Sequence, residues 1–577
     1  MTTAPNSEPA SAVAGPATGE LAHSDLVTKL VAEAFSEFSR GARPAAAPAV
    51  PVEIPAVSDL PAVSAADASS AVPPVHPNAQ PAAPKLSEPE KTPSGGHAPD
   101  SGDSYAFGEP RCNGAYRPQG NQPDTKTANG NPLLGLSDAE SLGTPEYYFL
   151  HGSAVSGKSP ASCQSYPKTA APIPKFDIEG VRRDFPALHQ LVNGKPLIWL
   201  DNAATTHKPQ AVIDATSQFY RRDNSNIHRA AHTLATRSTE LFEAGREKVR
   251  KFLGAADAKE IVFVRGTTEA INLVAQSYGR KNIGAGNEII VSELEHHANI
   301  VPWQLLAGQV GATLRVIPIN DRGELRLDEF VKLLGPKTKF VSVAHVSNSL
   351  GTINPVEQII ALAHARGVPV LVDGAQSTPH LPVNVTALDA DFYVFSGHKV
   401  FAPTGVGALF GKAPLLEAMP PWQGGGHMIK DVRFEKTIYQ NAPEKFEAGT
   451  PDIAGVVGLG AAIDYLFKVG IPAIAAYEHA LLEYATQALA AIPGLRPIGT
   501  AATKASVLAF VIPSVPNESV ARHLDKHGIA VRAGHHCALP AIRHFGLESS
   551  VRPSLAFYNT REEVDALVNA LRSLKRS

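Results

Sequence analysis

The sequence predicts an α/β fold built on a largely parallel sheet and preceded by a long arm that stays unfolded. Three observations carry that expectation. Beyond Phe176, short apolar runs alternate with longer stretches of helical spacing, the pattern of strands joined by crossover helices. Two of these runs, in Leu371-Val372-Asp373-Gly374-Ala375-Gln376 and Val394-Phe395-Ser396-Gly397-His398-Lys399, break off at polar residues. Buried strands do this on reaching the carboxyl edge of such a sheet. Residues 1 to about 175, by contrast, are dominated by Pro, Ala, Ser and Gly, which bury too little apolar surface to offset chain entropy.

Composition narrows the function classes. The 577 residues are 44% hydrophobic, ample for a large core, and the net charge of −3 argues against nucleic acid or an anionic membrane as the main partner. Three cysteines, at positions 112, 163 and 537, are too few for a disulfide framework and suit a reducing compartment. Met1 to Pro5 has neither a basic nor an apolar signal segment, and no apolar run is long enough to span a membrane. The expectation is a soluble, cytoplasmic protein with no metal site.

Two islands interrupt the arm. Ser24 to Arg40 places Val27, Leu30, Val31, Ala34, Phe35 and Phe38 at helical spacing, with Ser24 as N-cap. Leu133 to Leu150 holds Leu133, Leu134, Leu136 and then Tyr147-Tyr148-Phe149-Leu150. Apolar islands without a core of their own read as docking motifs, or as segments that fold back onto the folded region. Between the arm and the fold, Gly152-Ser153-Ala154-Val155-Ser156-Gly157-Lys158-Ser159 matches the P-loop pattern. Such a loop works only between a strand and a helix, and here Pro160 and Pro167 follow with no helical period. The match is a coincidence of a Ser/Gly-rich arm.

In the folded part, strands are expected at Leu197–Leu200, Ile261–Val264, Glu288–Val291, Leu314–Ile317, Phe340–Val343, Val368–Val372 and Phe392–Phe395, with helices such as Arg237–Phe252 and Val356–Ala365 between them. Past about residue 415, Gly424-Gly425-Gly426-His427 leads to a smaller half with its own strand at Ser506–Ile512. The expected division is an arm over 1–175, a large domain over about 195–415, and a small α+β domain from 176–194 and about 416–577.

The strand ends carry the chemistry. A lysine delivered to such an edge can form a Schiff base, and a buried Asp can hold a pyridine nitrogen protonated; Lys399 and Asp373 together suggest a pyridoxal phosphate site. Each alone also reads as a surface lysine and a helix cap. Arg265-Gly266-Thr267-Thr268-Glu269 follows a strand and opens a helix, an arrangement suited to a phosphate, although Thr-x-x-Glu is equally a capping box. His296-His297 follows another strand, where an imidazole could stack on a cofactor ring or sit in the core, and Asn348 follows the strand ending at Val346, where it could hydrogen-bond the cofactor or a substrate carboxylate. Finally, Val531-Arg532-Ala533-Gly534-His535-His536-Cys537-Ala538 sets the one cysteine of the folded region beside an Arg and two His. Cationic neighbours favour a nucleophilic thiolate, whereas a lone cysteine is usually an inert hydrophobe.

These fragments resemble one family. Asn224 to Arg229, Arg265 to Asn272, Glu295 to Trp303, Asp373 to Gln376, Ser396 to Lys399, Glu447 to Pro451, Arg532 to Ala538 and Arg552 to Leu555 follow the order, spacing and identity of the group II (SufS-type) cysteine desulfurases. These are pyridoxal 5'-phosphate enzymes of aminotransferase-like fold type I. The resemblance implies that Lys399 carries the cofactor and later moves protons, while His296 stacks on the ring. Asp373 would pair with the ring nitrogen and Gln376 with its phenolic oxygen. Thr267, Thr268, Ser396 and His398 would bind the phosphate, with Thr450 entering from a second subunit of a homodimer. Arg552, assisted by Asn348, Arg532 and His228, would bind the substrate carboxylate. Cys537 would attack the sulfur of L-cysteine, releasing alanine and leaving a persulfide for a SufE- or SufU-like acceptor serving iron–sulfur cluster assembly or sulfur storage.

The arm is a departure from that family, whose ordinary members begin near Phe176. It resembles the arms of cysteine desulfurases packaged in family 2 encapsulin shells, which implies a cargo-loading segment and a location inside a cytoplasmic nanocompartment; several weak islands on one tether bind a repeating shell by avidity. Selenocysteine lyase activity, or a fold type I lyase or aminotransferase that uses no thiol and carries the arm as a generic tail, remain the alternatives.

Overall fold

The computed structural model describes residues 176–228 and 231–574. The expectations placed on the arm, its two islands and the Gly152–Ser159 loop lie outside the described residues.

A seven-stranded sheet dominates. Its strands are β1 (Ile261–Val264), β2 (Glu288–Ser292), β3 (Thr313–Ile317), β4 (Thr338–Ala344), β5 (Val370–Asp373), β6 (Phe392–Ser396) and β7 (Gly407–Gly411). Their order is β1-β7-β6-β5-β4-β2-β3. All pairs are parallel except those of β7, which runs antiparallel to both neighbours. Successive residues of a strand point to opposite faces. Accordingly Phe263, Ile290, Val341, Val372 and Phe395 enter one buried cluster, and Val264, Ile289, Phe340, Leu371 and Val394 enter another. A sheet buried on both faces needs strands that are apolar throughout, which is why these runs were readable in the sequence. Each such side chain contributes about 1.5–3 kcal/mol of burial.

Helices cover the sheet. They include α1 (Gln210–Gln218), α2 (Thr233–Leu253), α3 (Thr267–Val274), α4 (Val301–Val310), α5 (Ile453–Val469), α6 (Ile471–Ala490) and α7 (Arg561–Ser573). Among the described residues no single helix is long and apolar enough to cross a membrane. Helix α5 packs on α1 and α2, closely enough that a Cβ at Gly245 would lie 2.5 Å from Val456 Cγ1. A second, antiparallel sheet follows, with β8 (Arg496–Ile498), β9 (Ala509–Val511), β10 (Arg532–Gly534) and β11 (Ser550–Arg552) in the order β8-β9-β11-β10.

Two elements depart from expectation. The run Leu197–Leu200 does not join the main sheet; Ile198–Trp199 pairs in parallel with Ile529–Ala530 instead. The strand β7 was not legible, because Gly407-Ala408-Leu409-Phe410-Gly411 is short and framed by glycines that usually mark turns. The first glycine is required by packing: a Cβ at Gly407 would meet Phe395 O at 2.5 Å and Gly266 Cα at 2.7 Å. The close approach brings the start of α3 beside β6.

At the opposite sheet edge, protonated His364 donates to two carboxylates, with Nε2 2.7 Å from Asp391 Oδ2 and Nδ1 3.0 Å from Asp389 Oδ2. The hydrogen bond to Asp391 holds the imidazole above its ordinary range. A raised histidine contributes its stability below the unfolded value and loses it as pH rises through the folded one. His364→Gln is therefore expected to lower stability by about 1 kcal/mol near pH 6 and by little near pH 9. Denaturant midpoints at the two pH values check this; an equal loss at both would show that the charge is not involved.

Candidate active site

Strands β1, β2, β4, β5 and β6 run in the same direction, so their carboxyl ends open on one edge, where α/β sheets bind ligands. The loops leaving that edge carry Thr267, His296, Asn348, Asp373 and Lys399 to a cavity of about 170 Å³. Thr268, Gln376, Ser396 and His398 line it from the large sheet, and Arg532, Cys537 and Arg552 from the second. All the expected site residues converge there except His228 and Thr450. Within one chain these two lie outside the cavity: the His228 ring lies 4.5 Å from that of His427, tilted by 41°, and Thr450 Oγ1 accepts a bond from Asn226 at 3.2 Å.

Burial tunes the titratable groups. Lys399 is pushed down to about 8 by desolvation, with the Asp373 carboxylate opposing. Desolvation raises Asp373, the Ala375 N–H and Lys399 pulling the other way. A carboxylate so placed is stable only beside a cation. Desolvation also lowers His296 to about 3 and His398 to about 4, so both imidazoles are neutral at physiological pH.

Several partners of these residues were not anticipated. Arg552, 1% exposed, donates through Nη2 to Asp201 Oδ1 at 2.7 Å and through Nη1 to Asn348 O at 2.9 Å. Asp201 follows the apolar run Leu197–Leu200, the same signature that singled out Asp373. Behind His296, the carboxylate of Glu295 accepts from Ser292 Oγ, from Asn299 Nδ2 at 2.6 Å and from Ala344 N at 3.0 Å. Asn299 Oδ1 in turn accepts from Trp303 Nε1 and Ser342 Oγ. This dry network ties the end of β2 to β4 and fixes the residue that carries the imidazole.

The cysteine turn is pinned from several sides. His297 N donates to Cys537 O at 2.7 Å, Asn348 Nδ2 to His536 O at 2.6 Å, and His536 Nε2 lies 2.9 Å from Ser550 Oγ. His536 and Cys537 both take positive φ, near 54°, a conformation uncommon for residues with a Cβ. Backbone strain of this kind clusters at functional sites.

The cavity fits a polar, anionic ligand. Asn348 Oδ1, Gln376 Oε1, His536 Nδ1 and Arg552 Nε are buried there without a hydrogen-bond partner, which proteins rarely tolerate. The capping-box alternative is not realised: the N-cap of α3 is Gly266, with no side-chain cap, and Glu269 accepts from Arg265 N instead. Thr267 N donates to Ser396 Oγ, which in turn donates to Thr267 Oγ1, both at 2.9 Å, and the start of α3 beyond them forms a cup for an anion.

Comparison with known proteins agrees. A profile of the aminotransferase class-V family matches residues 198–567. A cysteine desulfurase of Klebsiella pneumoniae is 52% identical over 402 residues, covering 70% of this chain and 99% of the relative. The chain belongs to the cysteine desulfurase family of class-V aminotransferases. A cysteine desulfurase of Synechococcus elongatus is 62% identical over 400 residues, 69% of this chain; the match spans only 64% of that longer relative. Among solved structures, the Escherichia coli cysteine desulfurase CsdA superposes with a TM-score of 0.64 at 44% identity, over 69% of this chain and 98% of that one. The cofactor of this family is pyridoxal phosphate, and the orphaned polar atoms, the anion cup and the Asp373–Lys399 pair fit it.

Proposed function

We propose that the chain is a group II cysteine desulfurase that moves the sulfur of L-cysteine onto Cys537 and releases L-alanine. The observation that carries this reading is that Cys537 and Lys399 line one cavity together with Arg552. Pyridoxal phosphate, held by Lys399, by Asp373 and by the Thr267–Ser396 cup, supplies an electron sink for the α-carbon. Arg552, oriented by Asp201, binds the substrate carboxylate through its remaining N–H groups. Lys399, with a proton affinity near neutrality, takes and returns the α-proton. His296 and Gln376 orient the ring, Asn348 and Arg532 flank the substrate, and His398 holds the phosphate. The Cys537 thiolate attacks the substrate sulfur; the carbon–sulfur bond breaks, a sulfur–sulfur bond forms, and the protons of the two thiols balance alanine and the persulfide. Alanine and Cys537-bound sulfur appearing in equal amounts from L-cysteine would support this; alanine without sulfur transfer would sink it.

The sulfur acceptor is a SufE- or SufU-like protein, since a turn pinned as firmly as residues 535–538 cannot carry the persulfide far. The enzyme works as a homodimer. Support comes from the hairpin at Ile429–Val432 and Thr437–Tyr439, where Val432, Phe434, Ile438 and Tyr439 expose apolar side chains in one small region, as an interaction surface does. Thr450 and His228 complete the partner's cavity. Phe434→Asp is expected to weaken association at least about tenfold, as loss of a central aromatic anchor does; sedimentation at several concentrations checks it, and an unchanged dimer would place the interface elsewhere.

Residues 1–175 act as the loading segment for an encapsulin shell in the cytoplasm. The reading rests on the two apolar islands of a Pro/Ala-rich arm. A chain starting at Phe176 is expected to keep its turnover and to lose co-purification with a co-expressed shell; packaging without the arm would refute the assignment.

A further inference from the structure

The two histidine pairs divide by side. His296 and His536 line the cavity, whereas His297 and His535 do not; their rings face each other outside it at 5.5 Å and 31°. Cys537 lines the cavity and also belongs to this outer pair: one ligand atom from each of His297, His535 and Cys537 lies within 4.8 Å of the other two. The sulfur thus stands between a reaction cavity and a pair of imidazoles to which the proposed mechanism assigns no step.

We propose that His297, His535 and Cys537 form a capture site for a thiophilic divalent cation of the Zn²⁺ type, which caps the nucleophilic sulfur and arrests sulfur transfer. One thiolate and two imidazoles are a donor set that such a cation prefers. Zinc–ligand distances of about 2.0–2.3 Å put tetrahedral donors roughly 3.3–3.7 Å apart, so closure requires the donors to approach by about an ångström. His535 is exposed and His297 half-buried, and their side chains can turn. Closure also has a cost that sets the site's character. His297 Nε2 accepts from Leu539 N at 3.1 Å, and His535 Nδ1 from Cys537 N at 3.0 Å; each neutral ring therefore carries its proton on the other nitrogen. Capture must displace or reorient these bonds, which makes the site reversible rather than structural. On capture the thiol gives up its proton and no electron moves. Three protein ligands leave the fourth position to water or to an incoming thiol, the open arrangement of a non-structural site.

The test uses the full chain with its cofactor, carrying Cys112→Ser and Cys163→Ser so that Cys537 is the only thiol. Equilibrium dialysis against Zn²⁺ buffered by a chelator is expected to give one ion per chain, with about one proton released. Alanine formation should be inhibited over the same range of free Zn²⁺ and restored by excess chelator. Adding His535→Gln or His297→Gln should weaken binding at least about tenfold, and adding Cys537→Ser should abolish it. Because His535 is exposed, its variant decides the matter even where the His297 variant folds poorly; cofactor absorbance reports that folding. Unchanged affinity in His535→Gln, or an ion retained by Cys537→Ser, overturns the proposal.

Discussion

Lys399→Ala is expected to reduce turnover of L-cysteine by at least about a thousandfold, the scale lost when a nucleophile that also transfers protons is removed. The amine is fully enclosed, and desolvation brings it to about 8 while Asp373 holds it from falling further. It is thus poised to exchange a proton close to physiological pH, which no exposed lysine is. An alanine removes the proposed attachment point and also takes a cation from the surroundings of Asp373, whose ionised form burial already opposes. Two measurements separate these effects. Borohydride reduction followed by mass analysis should add the cofactor's mass to the wild type and nothing to the variant. Asp373→Asn should instead keep the attachment while losing turnover. A Lys399→Ala chain that still releases alanine at the wild-type rate would dismiss the proton-transfer role.

The site was legible where the physics of a buried sheet forces composition. A strand covered on both faces must be apolar along its whole length, so the polar residues that end it mark the ligand edge; Asp373, Ser396 and Lys399 were found in this way. The Cys537 turn was legible for another reason, since a cysteine between His-His and Ala-Leu-Pro has no place in a regular core. What escaped depends on contacts between distant segments. Asp201 and Arg552 are 351 residues apart and meet because the segment after Ile198–Trp199 bridges directly to Ser554, beside Arg552. The strand β7 was hidden by glycines that packing demands and that composition reads as turns. The Glu295–Asn299–Ser342 network joins two strands whose pairing no local pattern states. Similarly, local sequence could not tell that His228 would lie against His427 and away from its own cavity.

Cys537→Ser is expected to lose alanine and sulfide production by at least about a thousandfold while keeping the cofactor's absorbance. A hydroxyl at this position fills nearly the volume of the thiol and leaves in place the bonds to the turn's carbonyls, from His297 N to Cys537 O and from the Asn348 side chain to His536 O. The cavity should therefore retain its ligand and its affinity for the substrate carboxylate. What the serine lacks is a polarizable anion: at neutral pH a hydroxyl is not ionised, and it has no route to a stable bond with the substrate's sulfur. The loss should fall on the maximal rate, with the Michaelis constant little changed, because the proposed carboxylate site, Arg552 held in place by Asp201, does not involve the sulfur. The same variant discriminates among the chemistries this fold supports. An aminotransferase would leave pyruvate-type products and keep its rate in the serine variant, as would a lyase that expels sulfide without a thiol. Wild-type rates in Cys537→Ser would therefore turn the reading toward one of these. Inactivity with an intact chromophore leaves direct sulfur transfer to Cys537 as the step this turn is built to perform.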